Sequence, residues 1–345
     1  MILDHFFPIS RTNFSSYSRR FLGTRCSISR MGSEMTSLGS TRKHANFRII
    51  NVSGYKADLL EIHCQDPTFH VLFIPGNPGV ISFYTEFLES LFELLGGTAR
   101  VTAIGHVSHT QKNWESGRLF SLQEQIEHKI SFIESVFQDA LPIVLVGHSI
   151  GSHISLELFR RYQEKVIYCI CLYPFLAMDA ASSKQATIRR IALSPALSTG
   201  LSSLVAFLGF LPGHFSRFIA KKILGKSCSS STAEVLCTHV LKYHVMRNML
   251  FMAKTEFEKL PEKPDFDFIG GNKSKLGFLF GSDDHWAPLR LYEEIYEKVP
   301  DATLAIEREG HTHAFSCTDA GSTWVAQHVC SLIKKHLPND ILFHN

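Results

Sequence analysis

The sequence predicts an α/β fold in which helices cover both faces of a mostly parallel sheet and an apolar cap is inserted. Short apolar runs recur along the chain, and several of them are followed by helical periodicity, a pattern typical of parallel sheets. This alternation stops between about Leu176 and Ser274, where no strand is recognisable. The eight predicted strands are FRIINV, ADLLEIHC, HVLFIPG, RVTAIGHV, PIVLVG, VIYCICLYPF, KLGFLFG and ATLAIERE.

The chain of 345 residues is long for one α/β domain, so we expect a single large domain with an insertion. The predicted core comprises residues 47–175 and 275–345, and the cap comprises residues 176–274. The first two strands have little between them, which favours an antiparallel hairpin at the sheet edge.

The segment SLQEQIEHKISFIESVF predicts a helix that begins with a capping box of Ser121 and Glu124. One apolar stripe would face the core at helical spacing. Its members are Leu122, Ile126, Ile133 and Phe137.

Composition excludes some classes of protein. Hydrophobic residues make up 45% of the chain and the net charge is only +3, so we expect no nucleic-acid partner. The eight cysteines show no C-x-x-C spacing, which predicts reduced thiols in a cytosol-facing protein without zinc or disulfides. No cofactor or metal is expected.

The predicted leader, residues 1–46, differs from the rest of the chain. From Ser10 to Arg30 it is rich in Ser and Arg and lacks acidic residues, as organelle transit peptides do. A disordered leader is the alternative, and so is a start at Met31, where MGSEMT fits a myristoylation pattern. No secretory signal is recognisable.

The stretch VGHSIG joins an apolar strand to a helical pattern. Gly147 and Gly151 lack a Cβ, so the chain can turn sharply and the helix can approach the strand closely. Ser149 would then stand at the tip of the turn as a nucleophile. The context predicts an α/β-hydrolase fold.

A serine nucleophile needs a base and a carboxylate, which in this fold follow in the order Ser, Asp, His. GSDDHWAP follows a predicted strand and offers Asp283 and Asp284, and the spacing G-x-x-D-x-x-x-P favours Asp284. GHTHAF follows the last predicted strand and offers His311 and His313. We take His313 as the base, with His311 and Asp283 left as alternatives.

Two backbone N–H groups are candidates for an oxyanion hole. One belongs to Ile150, directly after the serine, and the other should come from the loop PGNPG. Because Pro78 has no N–H, Asn77 is the expected donor. A Pro-Gly turn without a catalytic role is the alternative.

Within the cap, residues 191–216 contain no Asp, Glu, Lys or Arg. Two Pro and three Gly argue against a straight membrane span, so we expect a hairpin or amphipathic segment lying in a lipid surface. Basic residues flank the segment and would meet lipid headgroups. A lid over the active site is the alternative, and both can be true. The basic residues are Arg189, Arg190, Arg217, Lys221 and Lys222.

Several motifs together resemble the lipid droplet-associated hydrolase family. They are LFIPGNPGVISFYTEFL, SLQEQIEHKISFI, LVGHSIGSHISLEL, LYPF, GSDDHWAP and HAF. The resemblance implies an α/β-hydrolase fold, a Ser-Asp-His triad with the base at His313, and residence on lipid droplets and the endoplasmic reticulum. It also implies hydrolysis of sterol or acylglycerol esters.

Three functions follow from these observations. The first is a serine esterase that acts on lipid esters at a droplet or membrane surface. The second is a droplet-surface protein with little hydrolytic turnover. The third, suggested by the leader, is a soluble organellar esterase or thioesterase.

Overall fold

The computed structural model describes residues 45–224 and 229–342. Eight strands form one sheet, and each coincides with one of the runs predicted from the sequence. They are β1 Asn46–Val52, β2 Tyr55–Ile62, β3 Phe69–Ile74, β4 Ala99–Ile104, β5 Ile143–His148, β6 Val166–Leu172, β7 Leu276–Gly281 and β8 Thr303–Glu307.

The order of the strands across the sheet is β1-β2-β4-β3-β5-β6-β7-β8. Strand β2 runs antiparallel to β1 and to β4, and every other pair of neighbours is parallel. The mostly parallel sheet and the antiparallel hairpin at its edge are therefore confirmed. Strands β3, β5 and β7 are buried along their whole length, as expected where layers cover both faces.

Helices follow most of the strands. They are α1 Thr85–Leu94, α2 Leu122–Val136, α3 Ile150–Arg161, α4 Ser183–Leu193, α5 Pro195–Gly209, α6 Gly213–Leu224, α7 Ser230–Val235, α8 Tyr243–Lys259, α9 Phe266–Gly271, α10 Leu289–Lys298, α11 Asp319–His336 and α12 Asn339–Leu342. Helix α2 carries the predicted capping box, in which Ser121 and Glu124 satisfy each other's backbone N–H groups.

Helices lie on both faces of the sheet, as predicted. On one face, a Cβ added at Gly147 would lie 2.6 Å from Ser155 Oγ of α3. On the other face, Tyr168 stacks on His336 of α11 with ring centroids 4.7 Å apart. Tyr168 pairs with Val144, three residues before Gly147, and residues an odd number apart in a strand point to opposite faces.

The region between β6 and β7 contains helices and no strand among its described residues. We call α4 to α9 the helical layer. Helix α8 packs against α4 and α5 of this layer and against α2 of the core. The division of the chain into leader, core and cap stays a prediction, and the leader falls outside the described residues except for Ala45 and Asn46.

Helices α5 and α6 expose large apolar side chains to solvent. We define the apolar surface as Leu197, Leu204, Phe207, Phe210, Phe215 and Phe218. No single helix among the described residues is long and apolar enough to cross a membrane. Helices α4 and α5 reach that length and composition only as a pair, and they are bent by 95°. Side chains from 219 to 228, including Lys221 and Lys222, lie outside the description.

The capping box of α2 gives a test of local stability. We expect Ser121→Ala to lower the free energy of unfolding by about 1 kcal/mol, because the Glu124 N–H at the helix start loses its acceptor. Urea denaturation measures the change. The matched control is Ser135→Ala, whose hydroxyl donates to Ser131 within the exposed part of the same helix. The control should change stability by less than about 0.5 kcal/mol.

Candidate active site

Ser149 occupies a sharp turn between β5 and α3. Its backbone has φ 55° and ψ −124°, a conformation that non-glycine residues rarely adopt. Cβ atoms built on the two flanking glycines would overlap backbone: one on Gly147 would lie 2.4 Å from Gly151 O, and one on Gly151 would lie 2.3 Å from Ile74 O. The close strand-to-helix approach predicted from the sequence is therefore present.

Asp284 and His313 are hydrogen-bonded to each other. His313 Nδ1–H donates to Asp284 Oδ2 at 2.8 Å, and both side chains are buried. The other oxygen of Asp284 accepts from the Trp286 N–H at 2.8 Å, which fixes the orientation of the carboxylate. With its Nδ1 occupied, the imidazole has Nε2 free for a further partner.

The alternative candidates for the acid and the base, Asp283 and His311, lie outside this hydrogen-bonded pair. Asp283 is exposed over 81% of its side chain and faces His285 at 3.9 Å. His311 packs beside Trp324, with ring centroids 5.9 Å apart, and makes no described contact with Asp284.

Ser149 and His313 line the same pocket. No hydrogen bond between described residues joins the Ser149 hydroxyl to His313. Catalytic hydrogen bonds are often long in the absence of substrate and shorten in the reacting complex.

A buried hydrogen-bond chain connects the loop after β3, the turn and the His313 loop. The Gly76 N–H donates to the Tyr84 hydroxyl at 3.3 Å. Tyr84 O–H donates to His148 Nδ1 at 2.8 Å, and His148 Nε2–H donates to the His313 carbonyl at 2.9 Å. These roles require a neutral His148. Burial holds the pKa of His148 well below its ordinary value, and the neighbouring His313 acts in the same direction.

The loop PGNPG lies beside Ser149, since a Cβ built on Gly76 would meet Ser149 Cβ at 3.0 Å. The Asn77–Pro78 peptide bond is cis. The Asn77 side-chain amide crosses to α8, where it donates to Met249 O at 2.9 Å and to Glu256 Oε1 at 3.1 Å. The helical layer is thereby hydrogen-bonded to the loop.

His109 holds the far end of this loop. The Gly79 N–H donates to His109 Nδ1 at 2.8 Å, so this nitrogen must be free of a proton. Burial lowers the pKa of His109 to about 3, and Lys129 and His244 act in the same direction. The ring of His106 fills the space beside Gly79 where a Cβ would otherwise stand.

Neither the backbone N–H of Asn77 nor that of Ile150 has an acceptor among the described residues. Ile150 is the first residue of α3, where N–H groups have no partner within the helix. Both groups flank Ser149 in the fold.

The pocket that contains Ser149 has a volume of about 630 Å³, including its open mouth. Its lining combines polar groups with an apolar wall. The wall comprises Phe83, Phe175, Ala253 and Trp286.

Sequence reasoning missed Glu256, Tyr84, His148 and His109. Tyr84 and His148 lie inside motifs that were recognised for other reasons. Glu256 carried a signal of its own, since it falls on the buried apolar stripe of α8 together with Met249, Ala253 and Phe257. A carboxyl group on such a stripe indicates either a partner or a function.

No group of three metal-ligating side chains occurs among the described residues. In the described part of the chain, Cys169, Cys171, Cys237 and Cys330 are free thiols.

Comparison with known proteins identifies a family for this chain. A family model described as lipid-droplet associated hydrolase matches residues 67–316. The lipid droplet-associated hydrolase of Gallus gallus is 28% identical over 275 residues, which cover 72% of this chain and 80% of that protein.

Solved structures share the fold at low sequence identity. An esterase from Thermogutta terrifontis superimposes with a TM-score of 0.56 at 15% identity, covering 85% of this chain and 100% of that chain. The epoxide hydrolase VrEH1 from Vigna radiata gives 0.62 at 16% identity, covering 86% and 100%. Because one fold carries both chemistries, these likenesses identify the α/β-hydrolase fold and leave the reaction to the site.

His109 gives a pH-dependent prediction. Its pKa lies near 3 in the folded protein and at its ordinary value of 6.5 in the unfolded chain. The unfolded state therefore binds the extra proton as the pH falls below 6.5, and the wild type loses stability. Relative to His109→Gln, we expect a loss of about 1.4 kcal/mol per pH unit.

Urea unfolding at pH 6.5, 5.5 and 4.5 measures this difference. The amide oxygen of the Gln variant can accept from the Gly79 N–H without titrating. The exposed His63→Gln serves as the matched control and should follow the wild type at every pH. A constant difference between the wild type and His109→Gln across the three pH values contradicts the prediction.

Proposed function

Because the chain belongs to the lipid droplet-associated hydrolase family, we propose that it is a serine esterase that hydrolyses carboxylic esters of lipids. The family membership confirms the resemblance noted in the sequence. The coarser conclusion, a hydrolase with the α/β-hydrolase fold, follows from the family and from the shared architecture. Sterol esters and acylglycerols are the proposed substrates.

The observation that carries the proposal is the hydrogen-bonded pair His313 and Asp284 in the pocket of Ser149. In acylation, the oxygen of Ser149 attacks the ester carbonyl while His313 Nε2 takes the hydroxyl proton. Asp284 stabilises the imidazolium that forms. His313 then returns the proton to the departing alcohol as the bond between the carbonyl carbon and the alcohol oxygen breaks.

In deacylation, a water molecule attacks the acyl carbonyl and gives its proton to His313. The bond to Ser149 breaks, its oxygen regains the proton from His313, and the carboxylic acid leaves. Both steps develop an oxyanion, which we assign to the N–H groups of Asn77 and Ile150. Their lack of an acceptor and their position beside Ser149 support this role.

We further propose that the apolar surface binds a lipid droplet or membrane, including the endoplasmic reticulum, from the cytosolic side. Exposed Phe and Leu side chains on two adjacent helices suit insertion at a lipid interface. The relatives' name as lipid droplet-associated proteins supports the droplet. Organelle import would depend on the leader, outside the described residues.

The catalytic assignment is tested by paired substitutions. Ser149→Ala should abolish labelling by a fluorophosphonate probe and hydrolysis of a fluorogenic ester. Asp284→Asn should lower kcat by about 10⁴-fold, because the imidazole loses its orienting carboxylate. Asp283→Asn is the matched control, since this neighbouring aspartate is exposed.

The control should retain activity within about twofold of the wild type. Hydrolysis or labelling that survives in a folded Ser149→Ala protein would exclude the serine mechanism. A wild-type protein that binds droplets but neither reacts with the probe nor hydrolyses esters would favour the droplet-surface protein with little turnover.

The lipid surface is tested separately. We expect Phe210→Asp to weaken binding to phosphatidylcholine-coated triolein droplets at least about tenfold, because an apolar side chain no longer enters the lipid. Phe210 is 87% exposed, and the control Tyr296→Asp changes an aromatic residue of α10 that is 69% exposed. Flotation measures binding. Hydrolysis of a water-soluble ester should stay unchanged in both variants, and equal flotation of the two would contradict the assignment.

A further inference from the structure

Glu256 places a carboxyl group inside the pocket of Ser149. It lies on α8 and lines the pocket, and only 3% of the residue is exposed. Within the described part of the chain, no other carboxyl group lines this pocket. The proposed esterase mechanism does not use it.

The two oxygens of Glu256 have different surroundings. Oε1 accepts a hydrogen bond from Asn77 Nδ2 at 3.1 Å. Oε2 has no hydrogen-bond partner among the described residues, yet it is not among the fully enclosed polar atoms. It is therefore reachable from the pocket.

Among the described residues, no cation contributes to the electrostatics of Glu256, whose pKa is set by burial and by Asn77. Burial accordingly raises the pKa of Glu256 to about 8, although the hydrogen bond from Asn77 opposes the shift. Near neutral pH the carboxyl group is mostly protonated. It can then accept from Asn77 through one oxygen and donate into the pocket through the other.

Asn77 links the Glu256 carboxyl group to the proposed oxyanion hole. Its side chain is hydrogen-bonded to Glu256, and its backbone N–H is the proposed oxyanion donor. The carboxyl group therefore lies in the same pocket as Ser149, together with the apolar side chains of Phe175 and Trp286. A ligand without a polar group there would leave Oε2 buried and without a partner, which is costly.

We propose that Glu256 forms a subsite for a free hydroxyl group of the ester substrate, next to the scissile carbonyl. This inference rests on the proposed esterase function and narrows its substrate class. The favoured substrates are partly esterified polyols such as monoacylglycerols and diacylglycerols. Triacylglycerols and sterol esters have no hydroxyl group to offer and are disfavoured.

A matched pair of substrates tests the subsite. Dioleoylglycerol, with vicinal esters, is compared with dioleoylpropanediol, in which a hydrogen atom replaces the free hydroxyl, and both are dispersed in the same detergent micelles. We expect the wild type to favour the hydroxyl-bearing ester by about 10- to 100-fold in kcat/KM.

Two substitutions identify Glu256 as the source of that preference. Glu256→Gln keeps an acceptor for Asn77 and an N–H donor for the hydroxyl, so it should retain the preference. Glu256→Leu removes both and should reduce the preference to within about twofold while it still hydrolyses dioleoylpropanediol. A wild type that hydrolyses both esters with equal kcat/KM overturns the subsite. So does a Glu256→Leu protein that loses activity on both esters in equal proportion, since Glu256 would then only position Asn77.

Binding without turnover separates this inference from the esterase function. The fluorescence of Trp286, which lines the pocket, should report ligand binding to Ser149→Ala. We expect dioleoylglycerol to bind that variant at least about tenfold more tightly than dioleoylpropanediol, and Glu256→Leu in the same background to remove the difference. Equal affinities overturn the subsite. If selective binding occurs but the wild type hydrolyses neither ester, the esterase proposal fails and the subsite stands.

Discussion

The site depends on the close approach of α3 to the ends of β3 and β5. Gly151 lies so near the backbone of Ile74 that a Cβ would be 2.3 Å from its carbonyl oxygen. This contact brings the loop after β3 against the turn at Ser149, whose own N–H is held by Leu172 O of β6 at 2.9 Å. Ser149 therefore keeps its unusual backbone conformation because three neighbouring strands hold the turn.

Neutral buried histidines hold the surroundings of Ser149 together. His109 and His148 each accept a hydrogen bond through Nδ1, which a protonated ring could not do. Lys129 is fully buried as well and donates to Gly105 O at 2.8 Å. Burial lowers the pKa of Lys129 far below its ordinary value. Acid that charges these histidines would weaken the proposed oxyanion loop together with the fold, so we expect the proposed activity and the stability to fall together.

The helical layer connects the proposed lipid interface with the proposed reacting centre. Helix α5 carries much of the apolar surface and packs on α8, and α8 supplies Glu256 to the pocket and the Met249 carbonyl to Asn77. The Asn77 side-chain amide thus joins the helical layer, which would meet lipid, to the loop after β3, which would stabilise the oxyanion. The same layer provides both the apolar wall and the polar atom that we assign to substrate selection.

The sequence alone determined the sheet, the helix α2 and the turn at Ser149, because these depend on local signals: apolar runs, a capping box and glycines at fixed spacing. It also supplied the order Ser, Asp, His and the family. Tertiary structure decided which of these side chains come into contact. Asp284 contacts His313 while Asp283 points to solvent, although the two aspartates are neighbours in sequence. Glu256 reaches Asn77 across 179 positions of the chain. Such a contact depends on how α8 packs over the loop, and no local pattern of residues specifies that packing.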